Sequence, residues 1–64
     1  MAEFTIDELA GEAKRELAVR KRVYAAWVAQ RRMTQPDADR RIALMQAIVD
    51  NLEAQRPQKE LALS

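Results

Sequence analysis

The sequence contains no cysteine and no histidine among its 64 residues. Without cysteine, disulfide bonds and thiolate metal sites are excluded, and a zinc site built from carboxylates alone would be unusual. A monomer of this length buries only about 60% of the surface that its unfolded chain exposes. Since disulfides and metals are not available, association with another chain is the remaining support for so small a fold.

The sequence also lacks the patterns that most catalytic and membrane proteins carry. Without histidine or cysteine there is no plausible catalytic triad, and one glycine is too few for a phosphate-binding loop. No apolar run approaches the roughly 20 residues that span a bilayer, and the acidic start MAEFTIDEL has no apolar signal core. We therefore expect no enzyme activity, no cofactor, no bound metal, no secretion and no membrane partner.

Residues that interrupt a helix are scarce, since the chain has one glycine and two prolines. Alanine, leucine, arginine, glutamate and glutamine dominate, and all of them favour helix. Two capping patterns mark helix starts, Thr5 with Glu8 and Thr34 with Asp37, in which a hydroxyl accepts an unpaired N–H of the first turn. The sequence therefore predicts two helices with defined beginnings.

The predicted helices run from about residue 6 to 31 and from about 35 to 55. Pro57 ends the second helix, because proline disfavours helix at the preceding residue. The short turn makes the two helices antiparallel neighbours. We predict an all-α fold, an antiparallel two-helix hairpin that forms a single domain over residues 1–64, with a frayed, flexible tail at 57–64.

Apolar side chains recur at helical spacing along both helices, so that one stripe can pack against the other to form a core. We expect Tyr24 and Trp27 to be mainly packing residues, with the Tyr hydroxyl and the indole N–H at the edge. The predicted stripes comprise Ile6, Leu9, Ala10, Ala13, Leu17, Tyr24, Trp27 and Val28 on the first helix, and Ala38, Ile42, Met45, Val49 and Leu52 on the second.

Five further apolar residues lie beside these stripes and would stay in water in a lone hairpin. At about 25 cal/mol per Å², covering several such side chains contributes several kcal/mol, which is comparable with the whole stability of a small domain. Single exposed apolar residues are common, but contiguous ones in a chain short of core predict a homodimer with a four-helix arrangement. The predicted dimer-interface residues are Val19, Val23, Ala26, Leu44 and Ile48.

Charge is nearly balanced overall, at +1, but it is unevenly distributed. Residues 1–16 carry five acids and two bases, whereas residues 17–41 carry seven bases and two acids. A hairpin therefore has a basic tip at its turn and an acidic open end. The simplest interpretation is a solvated surface with ion pairs inside each helix, and the alternative is contact with phosphate or an acidic partner.

Two arginines, Arg20 and Arg31, fall within the apolar stripe of the first helix. A buried, unpaired guanidinium is costly, so we expect each to reach water along its stem or to stack on Tyr24 or Trp27. Arg20, in mid-helix, should pair with an acid or line a cleft. Because Tyr, Trp and Arg are the residues most enriched in binding hot spots, the candidate partner-binding residues are Arg20, Tyr24, Trp27 and Arg31.

Two kinds of binding function remain open from the residues alone. A protein-interaction module would present an aromatic and arginine-rich surface, whereas a nucleic-acid-binding accessory protein would use the basic tip with Tyr24 or Trp27 stacking on bases. The net charge of only +1 and the lack of a helix-turn-helix pattern disfavour a nucleic-acid partner.

The segment ELAVRKRVYAAWVAQRRMTQPDADRRIALMQAIVDNL resembles small helical-hairpin proteins encoded by tailed phages and prophages of proteobacteria. The shared pattern is R-x-R-V-Y-x-x-W/L-V, then M/L-T at the turn, then A-D-R-x-I-A-L-M-x-A-I, and it covers about 35 of the 64 residues. Family members often have glycine where this chain has Arg31. A left-handed helix end costs arginine more than glycine, so this departure predicts a turn of different construction.

The resemblance implies phage origin, action in the cytoplasm of a host bacterium and an accessory role. One kind of protein in this group, a phage quorum-sensing anti-activator, is a dimeric helical hairpin that binds a LuxR-type transcription regulator. The resemblance thus implies a protein-interaction module that binds and inhibits a host bacterial protein, with a LuxR-type quorum-sensing regulator as the candidate target. The alternative is the nucleic-acid-binding accessory protein with its basic hairpin tip.

Overall fold

The computed structural model describes residues 3–56, which form two α-helices, α1 (Ile6–Ala29) and α2 (Gln35–Ala54). The helices pack against each other, and no strand occurs within residues 3–56. This confirms the predicted all-α hairpin. Both helices end slightly earlier than predicted, α1 by two residues and α2 by one. The tail predicted at 57–64 lies outside the described residues.

Both helices begin at the predicted threonine caps. The Thr5 hydroxyl accepts the N–H of Glu8 at 3.1 Å, while the Glu8 carboxylate accepts the N–H of Thr5 at 2.9 Å. These reciprocal bonds form a capping box. The Thr34 hydroxyl accepts the N–H of Asp37 at 3.2 Å, and a proline occupies the first turn of α2. Local hydrogen bonds therefore set both helix starts.

The end of α1 is built around Arg31, whose backbone is left-handed with φ 61°. The N–H of Arg31 donates to the carbonyl of Val28 at 3.0 Å, and the N–H of Arg32 donates to the carbonyl of Trp27 at 2.8 Å. These are the two bonds of a Schellman motif. The predicted turn of different construction is therefore wrong, because the arginine adopts the conformation that glycine usually supplies. This motif also stops α1 at Ala29.

Glycine at position 31 should stabilise the hairpin by about 1 kcal/mol, since a left-handed backbone costs an L-residue about 1–2 kcal/mol and glycine loses more entropy on folding. Urea unfolding of Arg31→Gly, followed by circular dichroism, measures the change. Arg32→Gly is the matched control and should destabilise, because Arg31 is the non-glycine residue with positive φ among those described. Destabilisation of both variants would contradict the prediction.

The core is formed where the central parts of the helices meet. Leu17 packs with Met45 and Val49 in one cluster, and Ile42 and Leu52 border it. The stripes therefore face each other as predicted. The buried residues are Ala10, Ala13 and Leu17 of α1 and Ala38, Met45 and Val49 of α2.

The ends of the predicted α1 stripe are less buried than its centre. Ile6, Tyr24, Trp27 and Val28 are partly buried. Leu9 is wrong as a core residue, because its side chain is 41% exposed. It lies at the edge of the stripe, about 80° around α1 from the buried Leu17, since eight residues separate them at 100° each.

Ion pairs between the helices hold the open end together. The Arg56 guanidinium donates to the Asp7 carboxylate at 2.7 Å and to the Glu53 carboxylate at 3.1 Å. Lys14 bonds to the same Glu53 carboxylate. All four side chains keep contact with water, so each pair contributes modestly to stability. Together they tie the first half of α1 to the end of α2, as the antiparallel arrangement set by the short turn allows.

Acid should weaken this contact between the helices. The hydrogen bond from Lys14, and to a lesser degree that from Arg56, holds the pKa of Glu53 below its usual value of 4.5. A carboxyl group whose pKa is lower in the folded than in the unfolded state stabilises the fold at pH values above its usual pKa. This stabilisation is lost as the pH falls through the lowered pKa. The urea midpoint should therefore fall more steeply below pH 4.5 for the wild type than for Glu53→Gln.

Glu12→Gln is the control for this pH series. Its carboxylate pairs with Arg15 within one helix, so it does not tie α1 to α2. We expect its urea midpoint to follow the wild-type pH curve. Parallel curves for the wild type and Glu53→Gln would show that the interhelical pairs do not contribute.

Candidate interaction surfaces

The hairpin has two unlike flanks. The ion pairs that join the helices, made by Asp7 and Lys14 of α1, lie on one flank. Arg20 lies about 120° from Lys14 around α1, since six residues separate them at 100° each. It therefore belongs to the other flank. On that flank, no ion pair joins the two helices within the part of the chain that the structure describes.

The second flank carries an apolar face, which we define as Val19, Val23, Leu44 and Ile48. The side chains of Leu44 and Ile48 are 54% and 50% exposed, and both valines are partly exposed. The prediction that Leu44 and Ile48 lie outside the core of the hairpin is confirmed. Ala26 is exposed as well. The role of these five residues in a dimer interface stays a prediction.

A shallow groove runs along the apolar face between the helices. Val23 follows Arg20 by three residues and so lies on the same side of α1. The groove itself is bordered on α1 by Arg20, and neither valine lines it. Its lining residues are Arg20, Leu44, Ala47, Ile48, Asn51 and Leu52.

Arg20 is a charged group on the border of this groove. Its Nε donates to the Glu16 carboxylate at 2.8 Å, and this hydrogen bond raises the pKa of the Arg20 guanidinium. Both side chains remain partly exposed. The predictions that Arg20 pairs with an acid and lines a cleft are therefore both confirmed.

The aromatic residues of α1 meet an arginine near the turn. The ring centroids of Tyr24 and Trp27 lie 5.7 Å apart, with their planes inclined by 34°. The Arg32 guanidinium lies over the Trp27 ring, 5.5 Å from its centroid. Both aromatic residues are partly buried. They are neither part of the buried core nor fully exposed.

Sequence reasoning missed Arg32, since it considered Arg20 and Arg31 as the cations that stack. In a Schellman motif, the second residue beyond the helix cap contacts the third residue from the helix end. Here these are Arg32 and Trp27, five positions apart. The five-residue spacing predicts the contact between Arg32 and Trp27 only when the backbone of Arg31 is known to be left-handed.

A second shallow groove opens at the turn, and we refer to Trp27, Arg31, Arg32 and Met33 as the arginine–tryptophan tip. Both arginines are exposed. Neither forms an ion pair with a carboxylate of residues 3–56. The groove is lined by Val28, Arg31, Arg32, Met33 and Thr34.

Three of the predicted partner-binding residues therefore lie on α1, and Arg31 lies in the turn beyond it. Arg20 lies beside the apolar face, whereas Trp27 and Arg31 belong to the tip, and Tyr24 lies between them. Within residues 3–56, no group of three acidic, cysteine or histidine side chains is placed to hold a metal ion. Neither α1 nor α2 has the length and apolar content required to cross a bilayer.

Comparison with protein-family models, with curated proteins and with solved structures gives no significant match. The apolar face and the arginine–tryptophan tip are therefore the features of this structure that bear on function.

Proposed function

We propose that this protein is an interaction module that forms a homodimer through its apolar face and acts by binding and masking another protein. The observation that carries the proposal is the exposure of Leu44 and Ile48 on α2, at 54% and 50%, together with two partly exposed valines on α1. Contiguous exposed apolar side chains are typical of protein–protein contacts. Within residues 3–56, three of the six buried residues are alanines, so the hairpin gains much from a second copy that covers this face.

The residue pattern shared with phage and prophage hairpin proteins supports a more specific form of the proposal. The chain would act in the cytoplasm of a host bacterium by inhibiting one of its proteins. A LuxR-type quorum-sensing transcription regulator is the first target to test. The surface that contacts it would include Arg20, Tyr24 and Trp27 of α1 and Arg31 of the turn that follows it.

A gel-shift experiment with a purified LuxR-type regulator and its operator DNA tests this target. We expect the chain to form a stoichiometric complex with the regulator and to release it from DNA. Tyr24→Ala with Trp27→Ala should weaken this effect, whereas Ala25→Asp with Ala43→Asp, at exposed alanines, should not. For other host targets, the immobilised chain is incubated with bacterial lysate and bound proteins are identified by mass spectrometry. Failure to recover any stoichiometric protein by either route would contradict the proposal.

Nucleic-acid binding by the basic tip is the alternative function. The observation in its favour is that Arg31 and Arg32 form no ion pair with a carboxylate of residues 3–56. The Trp27 ring already has Arg32 over it, so a base could stack on that face only by displacing the guanidinium. Retention on heparin at about 150 mM salt separates the two functions, because phosphate contacts hold a nucleic-acid binder there. We expect the chain to pass through the column.

A further inference from the structure

We infer that the arginine–tryptophan tip is a docking site for an acidic protein segment in which aspartate or glutamate stands beside an apolar residue. The inference deepens the proposed function and rests on it, because the acidic segment belongs to the protein that is masked. Four features of the tip support it. They are two cations that form no ion pair within residues 3–56, a pre-positioned guanidinium, an apolar groove and a strained backbone.

The first feature is a pair of adjacent cations without a carboxylate partner among the described residues. The nearest acids of α2 are engaged elsewhere. Asp37 accepts a bond from Arg41 at 3.2 Å, and Asp39 accepts one from Gln35 at 2.9 Å. Two exposed guanidinium groups side by side offer several N–H donors, and guanidinium binds carboxylate through paired hydrogen bonds.

The second feature is that Arg32 is positioned before a partner arrives. Its guanidinium is held over the Trp27 ring, and the left-handed Arg31 brings it there by closing the turn. A guanidinium that stacks through its face keeps the N–H groups of its edge available for hydrogen bonds. Because this side chain is already ordered, it loses less conformational entropy on binding.

The third feature is the apolar part of the groove, which limits what can bind. Val28 and Met33 line the groove together with the two arginines, and methionine adapts its shape to different ligands. The Thr34 hydroxyl accepts the N–H of Asp37 and so helps to cap α2. A fitting ligand therefore supplies a carboxylate for the arginines and an apolar side chain for Val28 and Met33. A protein segment supplies both, whereas a nucleic acid supplies phosphate groups but could stack on this face of Trp27 only by displacing Arg32.

The fourth feature is the backbone strain at Arg31. A left-handed arginine costs about 1–2 kcal/mol that a glycine would avoid. Strained residues of this kind cluster at functional sites. Arginine at this position places a second cation next to Arg32 in the sequence and lowers the stability of the fold. A residue that is kept for binding at a cost in stability is expected to show this combination.

Fluorescence anisotropy with a labelled synthetic peptide of alternating glutamate and leucine tests the site. We expect saturable binding of this peptide to the full chain and at least about tenfold weaker binding of the same peptide with glutamine in place of glutamate. Arg31→Gln with Arg32→Gln should weaken binding of the acidic peptide by about tenfold or more, since two charge-assisted contacts are lost. Arg22→Gln removes an exposed cation outside the groove and should change the affinity less than about twofold.

Arg31→Gly separates loss of binding from loss of folding. This variant should be more stable than the wild type and yet bind the acidic peptide several-fold more weakly, because it loses a cation while the turn relaxes. Unchanged affinity in Arg31→Gly and in the double glutamine variant would overturn the inference. Equal binding of the acidic and glutamine peptides would overturn it as well, and so would tighter binding of a single-stranded oligonucleotide.

The failure of this inference and that of the proposed function have different signatures. If a host protein is captured equally by the wild type and by the double glutamine variant, the function stands and the docking site is wrong. If the acidic peptide binds through Arg31 and Arg32 but no protein is captured, the site stands and the masking function is wrong.

Discussion

Replacing Val23 and Ile48 together with aspartate should convert the proposed dimer into a monomer. Each dimer would then hold four carboxylates in an interface that buries apolar side chains, and an unpaired buried charge is costly. We expect dimer affinity to fall by at least about a hundredfold, which corresponds to about 2.7 kcal/mol. Light scattering after size exclusion measures the effect against the chain mass of 7.3 kDa.

The control for this experiment introduces the same two charges outside the apolar face. Ala25 and Ala43 are exposed residues of α1 and α2, and neither lines the groove that contains Ile48. Ala25→Asp with Ala43→Asp should therefore remain a dimer. A wild-type chain that runs as a stable monomer of 7.3 kDa would contradict the four-helix arrangement. Leu44 and Ile48 would then be exposed side chains without a second copy to cover them.

Truncation of Leu17 should remove a large share of the stability of the hairpin. Leu17 is 7% exposed and packs in the central cluster with Met45 and Val49. Leu-to-Ala changes in a core cost about 2–5 kcal/mol, whereas small domains have only about 5–15 kcal/mol of stability in total. With six buried residues within residues 3–56, this hairpin has little reserve. We expect Leu17→Ala to lose much of its helical circular dichroism signal or to unfold at far lower urea concentration.

Phe4→Ala is the comparison that shows burial to be the cause. It removes a larger side chain than Leu17→Ala, but Phe4 is 67% exposed. We expect its stability to change by no more than about 0.5 kcal/mol, as for most surface substitutions. Similar losses in the two variants would mean that the cluster around Leu17 is not what holds the helices together.

The predictions for Arg31, Leu17 and Ile48 concern three separate kinds of contact. Relief of strain at Arg31 acts on one turn, truncation of Leu17 acts on the packing of α1 against α2, and charge at Ile48 acts on association. Stability measured at several protein concentrations separates association from the other two, because the stability of a dimer depends on protein concentration.

Helix starts and the packed stripes could be predicted from the sequence because their causes are local. Thr5 and Thr34 accept bonds from N–H groups three residues away, and these contacts need no knowledge of the rest of the fold. Helical periodicity likewise placed Leu17, Met45 and Val49 on facing stripes. The exposure of Leu44 and Ile48 followed from their angles outside those stripes.

The end of α1 and the members of the tip could not be predicted in this way. A left-handed arginine is unfavourable in isolation, so propensity predicted another turn. The hydrogen bonds that close the turn fix Arg31 in that conformation and place Arg32 over Trp27.

Short-range chemistry was therefore enough to establish two helices, their beginnings and the apolar sides that they turn toward each other. The packing of one helix on the other was needed to show which arginine meets the tryptophan and which carboxylates tie the open end. The physical reason is distance along the chain. Capping and periodicity act within a few residues, whereas Arg56 reaches Asp7 across 49 positions, and only the folded hairpin brings them together.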